Sequence, residues 1–379
     1  MTRPLSITGA EALLPSGLAP ADIVLEEGII AALDGSTRGL RLDARGLLAL
    51  PGIVDIHGDA FERQLQPRPG VAFPPDIALR DTEAQLLANG ITTAFLGITL
   101  SWEPGLRGIQ TWRAVLHALS EGRWACDLRV HCRWEAFNLD ALETAIADIR
   151  AGRVHLLAFN DHTPAIVRRL DDPATAVKYC ERAELTMEAF RAVAAAIPDR
   201  AAEVPAGLEA IGAAARASGI PIASHDDATL ADRDFFRARG ARICEFPMRE
   251  EVARAAAAAG DFVVMGAPNV VRGKSHLGWA SAARLAEAGI CSVLCSDYYY
   301  PAMLPAALKL AEGPLGFARA WNLISAAPAR AAALSDRGEI AEGRRADLVL
   351  VDPHERTVVA TIAAGRIAYL SATGASRLS

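Results

Sequence analysis

Apolar runs of five to eight residues recur through the middle of the chain, at 53–57, 92–98, 128–135, 154–159, 221–225, 242–246, 262–267 and 291–295. Stretches of helical spacing separate them, several Ala-rich, such as 250–259 and 280–288. Apolar strands alternating with helices read as a parallel sheet covered on its outer face. Eight such units predict an α/β fold, a (β/α)8 TIM-like barrel, and no Gly-rich dinucleotide turn follows the first strand to favour a doubly wound sheet. The chain ends have another texture. Short strand signals at 5–8, 21–25, 28–33 and 40–43, and again at 338–340, 346–352, 357–360 and 366–369, are divided by Gly, Pro and Ser turns. Neither set makes a core alone. The expectation is a small β-sandwich domain built from residues 1–50 and 338–379, with the barrel in 51–337. A long insertion at 164–219, with two helical segments broken at Pro198 and Pro205, reads as a lid, an oligomer contact or extra packing.

Composition narrows the function classes. At 379 residues, with 51% hydrophobic and 22% charged, the chain can bury a large core and is not disordered. A net charge of -6 supplies no broad positive field, which argues against nucleic acid and anionic membranes as partners. Six cysteines without a C-x-x-C spacing read as reduced thiols, and no apolar run is long enough to span a bilayer. The expected compartment is the cytoplasm. Self-association is left open.

In a parallel barrel the reactive side chains gather at the carboxyl ends of the strands. Along 50–60, LPGIVDIHGDA, alternation puts Asp55, His57 and Asp59 on one face, with His57 and Asp59 at the strand end. Other ends offer Glu135, Asp161 with His162, His225 with Asp226 and Asp227, and Asp297. Imidazoles and carboxylates converging from separate strands point to a divalent metal. His117, His155 and His354 fall in a helix, at the far end of a strand and in the tail, and read as structural or solvated. His131 shares a face with Glu135 but sits deeper, which favours a buried, hydrogen-bonded role.

The run PGIVDIH, the strand and helix alternation after it, and the late Ser296-Asp297 together resemble the amidohydrolase superfamily. Within it, His57-Gly58-Asp59 followed by Arg68-Pro69-Gly70 resembles a phosphonate-metabolism branch. That branch consists of diphosphatases acting on α-D-ribose 1-methylphosphonate 5-triphosphate. The resemblance implies one or two metal ions, zinc first and manganese or iron as alternatives, held by His57, Asp59, Glu135, His162, His225 and Asp297. Such an ion brings the pKa of bound water down toward about 7, with Asp297 orienting that water and taking its proton.

The sequence departs from the superfamily in two places. None of Lys178, Lys274 and Lys309 stands after strand four, which removes a carboxylated lysine and leaves Glu135 as the shared carboxylate. Strand six carries Cys244-Glu245-Phe246-Pro247 where relatives have histidine, so His162 or Glu245 takes that place.

A triphosphate needs cations and backbone N–H donors. Residues 269–276 follow strand seven and bring Arg272, Lys274 and His276, without the spacing of a P-loop. Arg63, Arg68 and Arg133 lie near the ends of strands one and three. The expected partner is therefore a small phosphorylated sugar. The rival readings are a hydrolase of a carbonyl substrate, such as a cyclic amidase, deacetylase or deaminase, and a scaffold without metal.

Overall fold

In a computed structural model of the chain, described for residues 3–273 and 281–379, two eight-stranded sheets divide the fold. The terminal sheet comprises β1 (Leu5–Leu14), β2 (Gly17–Glu26), β3 (Ile29–Leu33), β4 (Leu40–Asp43) and β5 (Leu48–Pro51). The barrel follows as β6 (Ile53–Gly58), β7 (Ile91–Leu100), β8 (Asp127–Glu135), β9 (Leu156–Asn160), β10 (Ile222–His225), β11 (Ile243–Glu245), β12 (Phe262–Gly266) and β13 (Val293–Cys295). The chain then returns to the first sheet with β14 (Leu348–Asp352), β15 (Thr357–Ala363) and β16 (Arg366–Leu370).

The barrel strands pair in parallel and in sequence order from β6 to β13, and a parallel bridge from Gly58 to Asp297 joins first to last. Side chains sort by alternation. Leu156 and Ala158 of β9 pack inside with Val54, Ile56, Ala223, Ile243, Val264, Val293 and Cys295, while Leu157 and Phe159 pack outward against the helices. The middle of the inner face is apolar, and His57, His131 and Glu245 stand toward the carboxyl ends of the strands, which places the chemistry at the upper rim.

Both chain ends build the terminal sheet, in the order β16-β15-β14-β5-β1-β2-β3, with β4 also on β1. The halves meet where β5 runs antiparallel to β14, Leu50 opposite Val349. At Gly9, which has φ +72, β1 carries a bulge; before it β1 pairs with β4 and after it with β5. One shared core of Ile7, Ile23, Leu42, Leu348, Leu350 and Ile362 lies beneath. Strand β5 was not among the expected elements: the terminal signals stop at 43 and the first barrel strand is expected only from 53, inside the longer apolar stretch 47–57. Gly52 divides it: its N–H donates to Asp347 O at 2.9 Å, and a Cβ there would lie 2.4 Å from Thr92 Oγ1. Residues 338–340, expected as a strand, form an irregular bend that buries Ile340 in the same core.

The insertion holds more helix than expected: Thr163–Arg169, Pro173–Ala183, Met187–Ala195 and Val204–Ala217. Pro205 stands in the first turn of the last helix, where its missing N–H costs nothing, so it starts the helix and does not break it. The first three helices enclose a small core of their own around Ile166, Tyr179 and Phe190. All six cysteines are buried and unpaired, and no helix among the described residues is long and apolar enough to cross a membrane.

Leu350 is fully buried between the two halves of the terminal sheet. Leu350→Ala is expected to cost about 2–5 kcal/mol of stability, read as a lower urea midpoint. An unchanged midpoint would mean that the terminal sheet unfolds apart from the cooperative core.

Candidate metal and active site

The barrel seam sets the first two side chains. Asp297 N donates to His57 O and Asp59 N to Asp297 O, both at 2.9 Å. The buried Asp55 carboxylate accepts from Ser296 Oγ at 2.5 Å, Ser296 N at 3.0 Å and His57 N at 3.3 Å. Gly58 sits inside this knot. A Cβ on it would lie 2.8 Å from Asp55 Oδ2 and 2.9 Å from Ser296 Oγ, so the middle position of His-Gly-Asp has no room for a side chain. Asp226 and Phe246, directly after β10 and β11, and Asp297, two residues past β13, have φ of 61°, 51° and 55°. Left-handed non-glycine residues at three strand ends are a local cost that functional sites tolerate.

Two groups of donor atoms converge inside the rim. One is His57, His131 and Glu245, all buried; the other is His162, His225 and Asp226. Glu245 joins them. Its Oε2 is 3.0 Å from His57 Nδ1 and 3.2 Å from His225 Nδ1, and its Oε1 is 3.8 Å from His131 Nε2. The His57 contact is short but poorly angled: His57 Nδ1, His131 Nε2 and Glu245 Oε1 are buried without a hydrogen-bond partner. His131 Nδ1 meets Ile56 O at 3.1 Å, which turns Nε2 toward Glu245.

Charge follows from burial. Burial, with Arg133 nearby, lowers His57 to about 3, and burial likewise lowers His131 to about 3. The imidazoles are therefore neutral, with lone pairs available. Burial raises Glu245 to about 7 and pushes Asp297 well above the carboxylate range, with Asp59 adding to the latter. Such carboxylates lack a cation. Neutral imidazoles, proton-retaining carboxylates and orphaned donor atoms aimed at one point form a set that fits a divalent ion of the zinc, manganese or iron type.

His162 behaves differently. Burial works against its charge, but Glu135 outweighs that, together with Asp226, and raises it to about 9. Its Nδ1 lies 2.6 Å from Glu135 Oε1 and its Nε2 3.4 Å from Asp226 Oδ2. Arg133, also inward, donates to Asp59 Oδ2 at 3.0 Å and faces His225 Nε2 at 3.1 Å.

Of the residues read from the sequence, His57, His162 and His225 lie in the donor groups, and Asp297 is half-buried at the seam beside them. Asp59 and Glu135 lie outside both groups, engaged by Arg133 and His162. His131, Glu245 and Asp226 lie inside. The signal for His131 was present: His131, Arg133 and Glu135 alternate along one strand face. At the rim, Arg63 donates to Tyr298 O and Arg272 Nη1 lies 3.2 Å from Tyr298 Oη. Arg68 is exposed in the loop after the first strand, and Asp161 is exposed. Lys274 and His276 lie outside the described residues.

Known proteins resemble this chain at two distances. The alpha-D-ribose 1-methylphosphonate 5-triphosphate diphosphatase of Escherichia coli (strain K12) is 31% identical over 357 residues, covering 91% of this chain and 94% of that one. Two solved structures share the fold. The β-aspartyl dipeptidase of Fervidobacterium islandicum AW-1, in complex with β-Asp-Leu dipeptide, has a TM-score of 0.65 at 15% identity, covering 97% of both chains. The N-acetylglucosamine-6-phosphate deacetylase of Pasteurella multocida has 0.64 at 12%, covering 96% of this chain and 99% of that one. The profile described as the amidohydrolase family matches residues 48–369, and on that match and the near full-length relative this chain belongs to the amidohydrolase family.

Proposed function

We propose that this hydrolase cleaves the 5-triphosphate of a ribose bearing a 1-methylphosphonate, releasing pyrophosphate and leaving the 5-phosphate. The observation that carries the reading is the 31% identity to the Escherichia coli diphosphatase over nearly the whole of both chains. The rim supports it. Arg63, Arg68 and Arg272 are exposed there with Arg133 deeper in, and guanidinium groups suit phosphate oxygens better than they suit a neutral amide.

The residues that would hold one or two divalent ions are His57, His131, His225 and Glu245, with Asp297, His162 and Asp226 beside them. An ion bound there supplies Lewis-acid polarisation and a water acidic enough to react near neutral pH. The protein does the rest. Arg133, anchored by Asp59, brings positive charge to the α-phosphoryl group, and Arg63 and Arg272 hold the two outer phosphates. His162, tied to Glu135 and Asp226, stands beside these groups. Asp297, which gives up its own proton once a cation occupies the cluster, takes a proton from the attacking water. The water oxygen bonds to the α-phosphorus as the bond to the bridging oxygen breaks, its electron pair leaving with pyrophosphate. Asp59 and Glu135 orient Arg133 and His162.

Phosphorus NMR with the 1-phosphonate ribose 5-triphosphate should show pyrophosphate and the 5-phosphate rising together. Amide turnover without pyrophosphate would move the chain to carbonyl chemistry. Asp297→Asn is expected to keep metal while turnover falls about 10²–10⁴-fold; near-normal turnover would remove Asp297 from the mechanism. By elemental analysis the protein should carry zinc, manganese or iron, and a Glu245→Ala, His131→Ala double variant should lose most of it. Equal metal in both proteins would place the ion elsewhere.

A further inference from the structure

Asn160 ends β9 and is completely buried. It lies on the inner face with Leu156 and Ala158, opposite Glu135 of β8 in the register. Continuing the pairing of Ser224 with Phe159 sets His225 of β10 on its other side. A carboxamide therefore stands in the ring of strand ends between a carboxylate and an imidazole of the site. Its main chain is satisfied, with Ala136 N donating to Asn160 O at 2.9 Å. Its side chain is not: neither Oδ1 nor Nδ2 has a hydrogen-bond partner.

A buried amide with both ends unpaired opposes folding, and a strand-end asparagine kept for structure would tie its amide to the adjoining loop. Its flanking groups do find partners, Glu135 with His162 and His225 with Glu245. Ligation of the metal is a poor use for it, since a neutral amide oxygen is a weaker donor than the imidazoles and carboxylates around it. A donor and an acceptor side by side, uncharged, on the inner face of the rim, suit a tetrahedral anion being attacked by water.

The geometry points to Asn160 as a catalytic residue: Nδ2 donates to a non-bridging oxygen of the phosphoryl group, and Oδ1 accepts from the attacking water. The identification of that group as phosphoryl rests on the function proposed above. The water then gives one hydrogen to Asn160 Oδ1 as a hydrogen bond and the other to Asp297 as a proton. A carboxamide holds the developing charge without adding negative charge beside Glu135.

The test uses the metal-loaded protein with Asn160→Ala and Asn160→Asp, the second keeping shape while replacing the donor with a negative acceptor. Metal per chain is expected to stay at the wild-type value in both. Turnover should fall about 10²–10³-fold in Asn160→Ala, with KM rising no further than about tenfold, and at least as far in Asn160→Asp. Titration with inorganic phosphate should give a dissociation constant about tenfold higher for Asn160→Ala, and higher again for Asn160→Asp. Turnover within threefold of wild type overturns the proposal, as does metal loss matching the activity loss, which would make Asn160 a ligand. A wild type that releases no pyrophosphate overturns the reading of function instead. The phosphate titration, needing no turnover, still decides the role of Asn160: equal affinity in all three proteins, or no binding by the wild type, overturns it.

Discussion

The seam between β6 and β13 is the constraint on which the rest depends. The barrel closes through one parallel bridge, Gly58 to Asp297, braced by a buried carboxylate, Asp55, that accepts three hydrogen bonds. Burial raises Asp55 to about 6 even against the pull of the hydrogen bonds from Ser296 and His57. Such a carboxylate is expensive anywhere it does not also do something. Here it aligns His57, Asp59 and Asp297, so barrel closure and the reactive groups share one set of backbone bonds. The glycine between His57 and Asp59 follows from the same packing.

Electrostatics separates architecture from chemistry in this molecule. Buried charges occur in both, but they are settled in different ways. Arg107 and Glu62 form a bidentate pair at 2.9 Å, and Arg233 pairs with Asp227 at 3.1 Å. Those ions complete one another within the protein. The rim cluster does not. His57, His131 and His225 are held neutral, while Glu245 and Asp297 are held toward their protonated forms. A cation entering that group would remove the cause of each carboxylate shift, because it supplies the charge that burial denies them.

Much of the fold was legible in the sequence because the barrel strands are buried on both faces. Each of the eight is apolar enough to stand out, and each appears within about two residues of its expected place. The histidines at separate strand ends were legible for the same reason. What escaped was whatever depends on partners far along the chain. Glu245 could be kept only as an alternative to His162, since its role is set by His57, His131 and His225 from three other strands. Asp59 and Glu135 have the right residue type and position for ligands, and in this structure they also pair with Arg133 and His162, a second engagement the sequence does not show. Composition cannot show which carboxylates are already spoken for. β5 was hidden because one apolar run serves two sheets, divided by a single glycine.

The insertion after β9 acquires a role from the same bookkeeping of buried charge. Arg182, near the end of helix Pro173–Ala183, pairs with the buried Glu103, and Glu184 just beyond accepts from Gln66 Nε2 at 3.1 Å. Trp102 Nε1 donates to Thr163 Oγ1 at 2.9 Å, fixing the start of the insertion to the loop after β7. Gly105 admits the backbone of Arg182 and Ala183 against that loop, where a Cβ would lie 2.5 Å from Arg182 O. The short helix Glu62–Leu65, which follows Asp59 and carries Arg63, is held by Arg107 on one side and reaches Tyr298 on the other. Separating these elements would leave the buried Glu103 without its partner, and a buried pair broken on one side costs about 3–5 kcal/mol. The first helices of the insertion are therefore fixed to the loop after β7 and, through Gln66, to the end of the helix that carries Arg63.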